Sequence, residues 1–161
     1  HEWVGIDISS SMLEVARERD VDGDMILGDM GQGFKCRPGM FDGVISISAI
    51  QWLCYSYSKS QIPLKRLTRF FQDLYASLAR GGRAVFQFYP ESPDQIELIT
   101  NASMKAGFSG GLVVDFPNSQ KAKKYFLVLF AGVGGGSTRP QEMPQGLSER
   151  GDEVQYSKRR T

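Results

Sequence analysis

The sequence contains few histidines and cysteines, and its net charge is close to zero. The 161 residues include one histidine and two cysteines, and the formal net charge is +1. A charge so close to zero excludes a strongly basic or acidic protein, so any nucleic-acid surface has to be local. Cys36 and Cys54 match no zinc or redox spacing, which predicts reduced thiols in an intracellular protein and no metal site. No apolar run approaches the roughly 20 residues that span a bilayer, so no membrane contact is predicted.

Short apolar runs alternate with amphipathic segments along most of the chain. Strands are predicted at residues 3–7, 24–27, 44–47, 84–88, 112–114 and 125–130, and helices at residues 9–19, 63–80 and 92–106. This alternation predicts an α/β fold with a mostly parallel sheet that helices cover on both faces. No helical pattern separates the last two strands, which are therefore expected to pair antiparallel.

The composition changes after residue 131. Gly134-Gly135-Gly136-Ser137-Thr138 is typical of a flexible linker. Residues 139–161 are polar and carry no periodicity, which is typical of a disordered segment. We predict one domain over residues 1–131, followed by a Gly-rich linker and a disordered polar tail over residues 132–161.

Two consecutive predicted strands each end in an aspartate. Ligands of parallel sheets bind at the carboxyl ends of strands, so Asp7 is placed to accept hydrogen bonds from ribose hydroxyls, and Asp29 from an exocyclic amine. Ile8, Met12 and Met30 can form an apolar slot around an adenine ring. The pair favours an adenosine-containing ligand, with a nicotinamide dinucleotide as an alternative. Alternatively, these residues have no binding role: Asp7 is a solvated aspartate in a turn, and Met12 is a core residue of its helix.

Polar and aromatic side chains follow two later strands. Ser48, Gln51 and Trp52 lie in the loop after the third strand, where they can line a methyl donor and an acceptor base. Trp52 can stack on a purine, which contributes about 1–3 kcal/mol per base. After the fourth strand, Tyr89 can stack on a base and Glu91 can accept from a guanine amino or imino group. Alternatively, Trp52 is a core aromatic and the second segment is a turn that starts a helix.

Several stretches match one known family when taken together. The most specific are Gln51-Trp52-Leu53-Cys54 and Gly107-Phe108-Ser109-Gly110-Gly111. The others are Gly5-Ile6-Asp7-Ile8-Ser9, Gly28-Asp29-Met30-Gly31-Gln32-Gly33, Phe41-Asp42-Gly43, Gly81-Gly82-Arg83-Ala84, Tyr89-Pro90-Glu91 and Val114-Asp115-Phe116-Pro117-Asn118-Ser119. Over residues 1 to about 130 the chain resembles the eukaryotic Bud23-type 18S ribosomal RNA guanine-N7 methyltransferases.

The resemblance implies a Rossmann-like class I methyltransferase sheet, mostly parallel with an antiparallel last strand, that uses S-adenosylmethionine. By this resemblance, Asp7 of this chain would hold the cofactor ribose and Asp29 its adenine. The segments Ser48 to Trp52 and Tyr89 to Glu91 would border the guanine. The product would be 7-methylguanosine in small-subunit ribosomal RNA, made in the nucleus and cytoplasm during ribosome biogenesis. A small zinc-binding activator protein would pair with an edge strand at Asp24–Leu27.

The implied chemistry requires little from the protein beyond orientation. Guanine N7 carries a free lone pair, so no general base is needed and His1 requires no catalytic role. Gln51, Trp52, Tyr89 and Glu91 would act by positioning the base for in-line attack.

The chain departs from the family pattern at both ends. The family's first strand and glycine-rich cofactor loop would precede residue 1, and its Lys/Arg-rich tail survives only as Lys158-Arg159-Arg160. We therefore expect this chain alone to bind S-adenosylmethionine poorly or not at all.

Two other functions remain open at this point. A small-molecule methyltransferase is disfavoured by basic surface and by the implied activator-binding strand. A non-catalytic ribosome-assembly module is disfavoured by the presence of both Asp7 and Asp29.

Overall fold

The strands of the protein form two sheets. The structure is a computed structural model that describes residues 1–132 and 142–146. The smaller sheet pairs β1 (Val4–Asp7) with β2 (Asp24–Leu27) in parallel. The larger sheet has the order β3-β4-β6-β5, with β3 at Phe41–Ile47, β4 at Leu78–Phe88, β5 at Ser109–Asp115 and β6 at Lys124–Ala131. Among the described residues no hydrogen-bonded strand joins β1 to β3.

The strand directions bring four chain segments to one edge of the larger sheet. β3 and β4 are parallel, whereas β6 runs antiparallel to both β4 and β5. Therefore β5 runs in the same direction as β4, and the expected antiparallel pairing of the last two strands is confirmed. We call the shared edge at Ile47, Phe88, Asp115 and Lys124 the carboxyl edge.

The three α-helices begin where the sequence predicts. They are α1 at Ser10–Glu18, α2 at Pro63–Ser77 and α3 at Pro93–Lys105. The Ser9 hydroxyl accepts the Met12 N–H, and the Ser92 hydroxyl accepts the Gln95 N–H, so both serines cap their helices. The Gln95 side chain reaches back past the cap and accepts from the N–H of Glu91 at 3.0 Å.

The end of α2 differs from the sequence prediction. The helix ends at Ser77, and Leu78 already has extended backbone angles and pairs with Phe41. Gly81 and Gly82 lie within β4, where the register shifts and Gly81 has a positive φ of 79°. A Cβ at Gly82 would lie 2.8 Å from the Ala79 carbonyl oxygen. The glycines thus allow an irregular strand start, and burial of Leu78 favours the strand over a longer helix.

The core lies between the larger sheet and helices α2 and α3. Phe70 and Phe71 of α2 meet Phe86 of β4 edge to face, at centroid distances of 5.9 and 5.7 Å. Phe108 contacts Phe71 from the end of α3. This packing fixes the direction in which the carboxyl ends of β3 and β4 present their loops.

Residues 142–146 lie against the larger sheet. A Cβ at Gly146, which is buried, would lie 2.9 Å from Oδ1 of Asp115. The other residues of the predicted linker and tail, 133–141 and 147–161, lie outside the described residues.

Candidate functional site

Asp7 is the last residue of β1, and one of its two carboxylate oxygens accepts a hydrogen bond from the backbone. Its Oδ1 accepts the N–H of Ser9 at 2.8 Å, and Asp7 makes no other side-chain hydrogen bond within the described ranges. Ile8 follows it in the chain and Met12 lies in the first turn of α1, with 70% and 58% of their surface exposed. The structure therefore presents one carboxylate oxygen next to two exposed apolar side chains.

Asp29 is already bound by another side chain. Arg66 of α2 donates from Nη1 to Oδ2 and from Nη2 to Oδ1, at 2.9 Å each, and the Gly31 N–H also donates to Oδ1 at 2.9 Å. A carboxylate offers about four acceptor positions, so these three bonds leave about one. Asp29 can therefore accept one further hydrogen bond, and its ion pair with Arg66 was not predicted from the sequence.

The surroundings of Asp29 determine its charge. Burial by itself raises the pKa of Asp29, but hydrogen bonds from Arg66 and the Gly31 N–H, together with the Arg66 charge, hold this pKa below its ordinary value of 3.8. The carboxylate is therefore ionised at neutral pH. Met30, which follows it, is half-buried and packs against the core.

A second contact from α2 fixes the loop after Asp29. The N–H of Phe34 donates to Oδ2 of Asp73 at 2.8 Å, and Arg69 donates to the same oxygen at 3.3 Å. Gly33 is required for this arrangement, because its φ is 88° and a Cβ there would clash with Oδ2 of Asp73. Helix α2 thus positions the whole loop that follows β2.

The half-buried Ser48 and the buried Gln51 and Gln87 form a polar cluster at the carboxyl edge. Ser48 has a φ of 53°, and its hydroxyl donates to Oε1 of Gln87 at 2.9 Å. Nε2 of Gln51 donates to the Ser48 carbonyl at 3.1 Å. Two buried atoms, Oε1 of Gln51 and Nε2 of Gln87, have no partner of acceptable geometry among the described residues. Unpaired buried amides are costly, so this cluster is suited to a polar ligand or water.

Trp52 and Glu91 are linked through Tyr55, which sequence reasoning missed. The Trp52 ring is 56% exposed and lies 5.9 Å from the Tyr55 ring. A hydrogen bond from Gln95 lowers the pKa of Tyr55, but hydrogen bonding to Glu91, burial and the Glu91 charge raise it more. The loop after β3 and the turn after β4 therefore meet at this tyrosine. The signal available in the sequence was an aromatic residue three positions after Trp52.

Tyr89 is paired with a lysine from β6. Nζ of Lys124 donates to Oη of Tyr89 at 2.7 Å and lies 5.1 Å from the ring centroid. This contact lowers the pKa of Tyr89, with a smaller contribution from the nearby Gln87 amide. Tyr89 is 47% exposed, so its ring remains accessible. The run of lysines before Tyr125 was the sequence signal for this contact.

The predicted site residues thus fall into separate groups. Ser48, Gln51, Trp52, Tyr89 and Glu91 meet at the carboxyl edge of the larger sheet. Asp7, Ile8 and Met12 surround the end of β1, and Asp29 is tied to α2. In the described part of the chain, no group of three or more His, Cys, Asp or Glu could hold a metal ion, and no helix is long and apolar enough to cross a membrane.

One open groove lies away from these groups. It has a volume of about 450 Å³ and is lined by Arg83 and residues 142–145. None of these is a predicted site residue, so the groove does not mark the candidate site.

Comparison with known sequences identifies the domain type. Residues 1–86 match the methyltransferase domain family. The chain is 57% identical over 157 residues to the 18S rRNA (guanine-N(7))-methyltransferase of Mus musculus, covering 98% of the chain and 54% of that protein. It is 56% identical over 133 residues to the 18S rRNA (guanine-N(7))-methyltransferase bud23 of Schizosaccharomyces pombe, covering 82% of the chain and 50% of that protein. The chain spans about half the length of the curated relatives it matches.

Solved structures confirm the fold. A SAM-dependent methyltransferase from Methanosarcina mazei superposes with a TM-score of 0.61 at 9% identity, covering 83% of both chains. Phosphoethanolamine N-methyltransferase 2 of Haemonchus contortus, in complex with S-adenosyl-L-methionine, gives a TM-score of 0.58 at 18% identity, covering 80% of this chain and 43% of that one. The predicted Rossmann-like class I methyltransferase fold is present as a mixed α/β arrangement, and the chain belongs to the methyltransferase domain family.

Proposed function

We propose that the protein transfers a methyl group from S-adenosylmethionine to N7 of a guanine in small-subunit ribosomal RNA, as a step of ribosome biogenesis. The observation that carries this proposal is the identity of 57% and 56% to two 18S rRNA (guanine-N(7))-methyltransferases, from a mammal and a yeast. The aromatic and acidic side chains at the carboxyl edge support the same conclusion.

The residues around β1 and β2 fit an adenosine-containing cofactor. Asp7 retains an oxygen that no described residue occupies, which suits a ribose hydroxyl. Ile8 and Met12 are exposed apolar side chains beside it, Met30 lines the next loop, and Asp29 keeps about one acceptor position for an adenine amine. Ser48 would complete the set from β3. S-adenosylmethionine supplies a methyl group made electrophilic by its positively charged sulfur.

The target guanine fits the aromatic and acidic residues at the carboxyl edge. Trp52 and Tyr89 offer exposed ring faces on which a purine can stack. Glu91 offers a carboxylate for the guanine amino or imino group, and Gln51 has an unpaired buried Oε1 that accepts a hydrogen bond. Of the four RNA bases, guanine is the one whose base-pairing edge carries two adjacent donors, the N1 imino and N2 amino groups, so a carboxylate at this position favours it over the other bases.

These residues act by orienting the base rather than by moving protons. N7 of guanine is not protonated at neutral pH, so its lone pair is available without a general base. Holding the nucleophile in line with the methyl group replaces a random encounter by an aligned one, which is the main source of rate enhancement here. Tyr55 lies beside both of these residues, with its ring 5.9 Å from that of Trp52 and with Glu91 nearby.

We further propose that a small zinc-binding activator protein pairs with β2. Within the described chain, β2 is bonded only to β1, and Ile26 and Leu27 are 44% and 59% exposed. An exposed apolar edge strand tends to aggregate unless another chain covers it.

The proposed substrate implies a location in the nucleus, where small subunits are assembled, and in the cytoplasm, where their maturation ends.

Methyl transfer to isolated pre-ribosomes tests the proposed activity. Small-subunit particles from cells that lack the protein are incubated with the protein as produced from its gene and with tritium-labelled S-adenosylmethionine, and the RNA is digested to nucleosides. We expect the label in 7-methylguanosine only. Label in another nucleoside, or transfer to small molecules in place of RNA, would contradict the proposal.

A further inference from the structure

The turn between β5 and β6 carries a concentrated positive charge. Residues 116–124 contain three lysines and no aspartate or glutamate. The flanking Asp115 is 4% exposed, and its Oδ1 accepts the N–H of Phe116 at 3.0 Å. The acid next to the turn is therefore buried, whereas Lys121 is exposed and Lys123 and Lys124 are half-buried.

Two of these lysines are held in place by aromatic rings. Nζ of Lys124 contacts both the hydroxyl and the ring of Tyr89, and Nζ of Lys123 lies 5.2 Å from the centroid of the Tyr125 ring. A lysine fixed in this way loses less side-chain entropy when it binds an anion than a freely rotating one. Lys121 is exposed and extends the charge along the turn.

The Lys124 contact also leaves the phenol O–H of Tyr89 available as a hydrogen-bond donor. A lysine ammonium has only donors, so it donates to the phenol oxygen, and the phenol O–H is left to donate elsewhere. An acceptor placed against Tyr89, such as a phosphate oxygen, would meet one donor from the tyrosine and further donors from Lys124.

The turn lies at the same edge as the proposed guanine pocket. The strand order β3-β4-β6-β5 puts the start of β6 directly beside the end of β4, where Phe88 pairs with Tyr125. With adjacent strands about 4.8 Å apart, the distance from the loop after β3 to the turn after β5 is about 14 Å. That width suits a target nucleotide and the neighbouring backbone.

We propose that the turn at residues 116–124 binds the phosphate backbone of single-stranded RNA beside the target guanine, through Lys121, Lys123 and Lys124. The inference rests on the proposed function, because it takes an RNA substrate as given. A basic strip next to exposed aromatic rings is the combination that single-stranded RNA requires, since phosphates need cations and unpaired bases need stacking faces. Trp52 and Tyr57, which are 56% and 67% exposed, supply further stacking faces at the same edge.

Salt-dependent RNA binding tests the proposal. Binding of a fluorescent single-stranded RNA oligonucleotide is measured by anisotropy between low and physiological KCl for the wild type and for Lys121→Gln/Lys123→Gln. Each phosphate contact contributes about 0.7 to the slope of log affinity against log salt, so losing two should lower its magnitude by about 1.4. The control is Lys65→Gln/Lys105→Gln, which removes equal charge from exposed positions on α2 and α3.

The proposal predicts that the control binds like the wild type. A turn variant whose affinity and slope match those of the control would overturn it, as would lysine-dependent binding to anionic phospholipid vesicles with unchanged RNA binding. Because Lys123 packs on Tyr125, the exposed single variant Lys121→Glu is measured as well, and it must weaken RNA binding without altering thermal unfolding.

Methyl-transfer kinetics separate this inference from the proposed function. If the turn variant methylates small-subunit RNA with a raised KM and an unchanged kcat, both stand. If methyl transfer occurs with an unchanged KM, the inference fails and the proposed function stands. If the protein methylates no guanine but still binds RNA through the turn lysines, the proposed function fails and the inference stands.

Discussion

Arg66 donates a bidentate pair of hydrogen bonds to Asp29, from Nη1 to Oδ2 and from Nη2 to Oδ1, at 2.9 Å each. The side chains are only 12% and 15% exposed, so water screens the pair weakly. The bond ties the loop after β2 to helix α2, and through α2 to the core of the larger sheet. The proposed adenine-binding acid is therefore also a structural link between the two sheets.

Replacing Arg66 by methionine should destabilise the protein. Methionine keeps the apolar stem of the side chain but leaves the Asp29 carboxylate poorly compensated, which costs about 1–3 kcal/mol. Urea unfolding at pH 7 measures this loss. A double-mutant cycle with Asp29→Ala should show a coupling energy of at least about 0.5 kcal/mol, and purely additive effects would contradict the account.

The same pair should make stability depend on acid pH. The folded pKa of Asp29 is lowered from 3.8, so its contribution is fully present above 3.8 and is lost as pH falls through the lower folded pKa. The difference in unfolding free energy between the wild type and Arg66→Met should therefore shrink as the pH is lowered through this window. A difference that stays constant from pH 7 to pH 2 would mean that the ion pair is not its source.

Gly31→Ala should act on the same ion pair without touching either charge. The new Cβ would lie 2.5 Å from Cζ of Arg66 and 2.7 Å from a Leu53 methyl group, so the guanidinium must move away from Asp29. We expect a loss of about 1–3 kcal/mol, similar to that of Arg66→Met. The matched control is Gly43→Ala, where the nearest atom lies at 3.5 Å. Equal unfolding midpoints for the two alanine variants would refute the assigned role of Gly31.

Cys54 should react slowly with alkylating reagents. Burial raises the pKa of its thiol to about 11, and only the thiolate is reactive. At pH 8 about one thiolate in a thousand thiols is present, and the rate should still be rising at pH 10. Iodoacetamide labelling of Cys36→Ser, in which Cys54 is the remaining thiol, followed by mass spectrometry measures this rate. A labelling rate that levels off near pH 8.5 would contradict the raised pKa of this half-buried thiol.

Asp7→Asn should weaken cofactor binding while preserving the fold. The asparagine oxygen can still accept the Ser9 N–H, but its amide cannot accept a ribose hydroxyl. A hydrogen bond to a charged group contributes about 1.5–3 kcal/mol, so affinity for S-adenosylmethionine should fall at least about tenfold. Calorimetric titration of the protein as produced from its gene measures the loss. The exposed Asp22→Asn serves as control, and equal affinities for the two variants would exclude Asp7 from the site.

Local features of the fold were readable from the sequence, whereas the pairing of distant side chains was not. Ser9, Ser92 and the strand Asp24–Leu27 follow from capping and periodicity, which act over a few residues. Arg66 lies 37 residues from Asp29, and Lys124 lies 35 residues from Tyr89. Helical periodicity places Arg66 on the polar face of α2, but it does not reveal which loop packs over that face.

The candidate site shows the same division. Asp7, Trp52 and Tyr89 were proposed as site residues because each lies at or after the carboxyl end of a predicted strand, and parallel strands end together. Tyr55 and Gln87 were missed, since their roles come from neighbours contributed by other elements. The Leu78 boundary was missed because pairing with Phe41 overrides the helical spacing of the preceding residues.

The most direct test of guanine-N7 methylation is a map of 7-methylguanosine in small-subunit ribosomal RNA. Cells in which the gene encoding this chain is deleted are complemented with the wild type, with Trp52→Ala or with Trp52→Phe, and the RNA is cleaved at 7-methylguanosine by borohydride and aniline. We predict that one cleavage site disappears on deletion, returns with the wild type and largely with Trp52→Phe, and stays absent with Trp52→Ala. An unchanged cleavage pattern in the deleted cells would contradict the account.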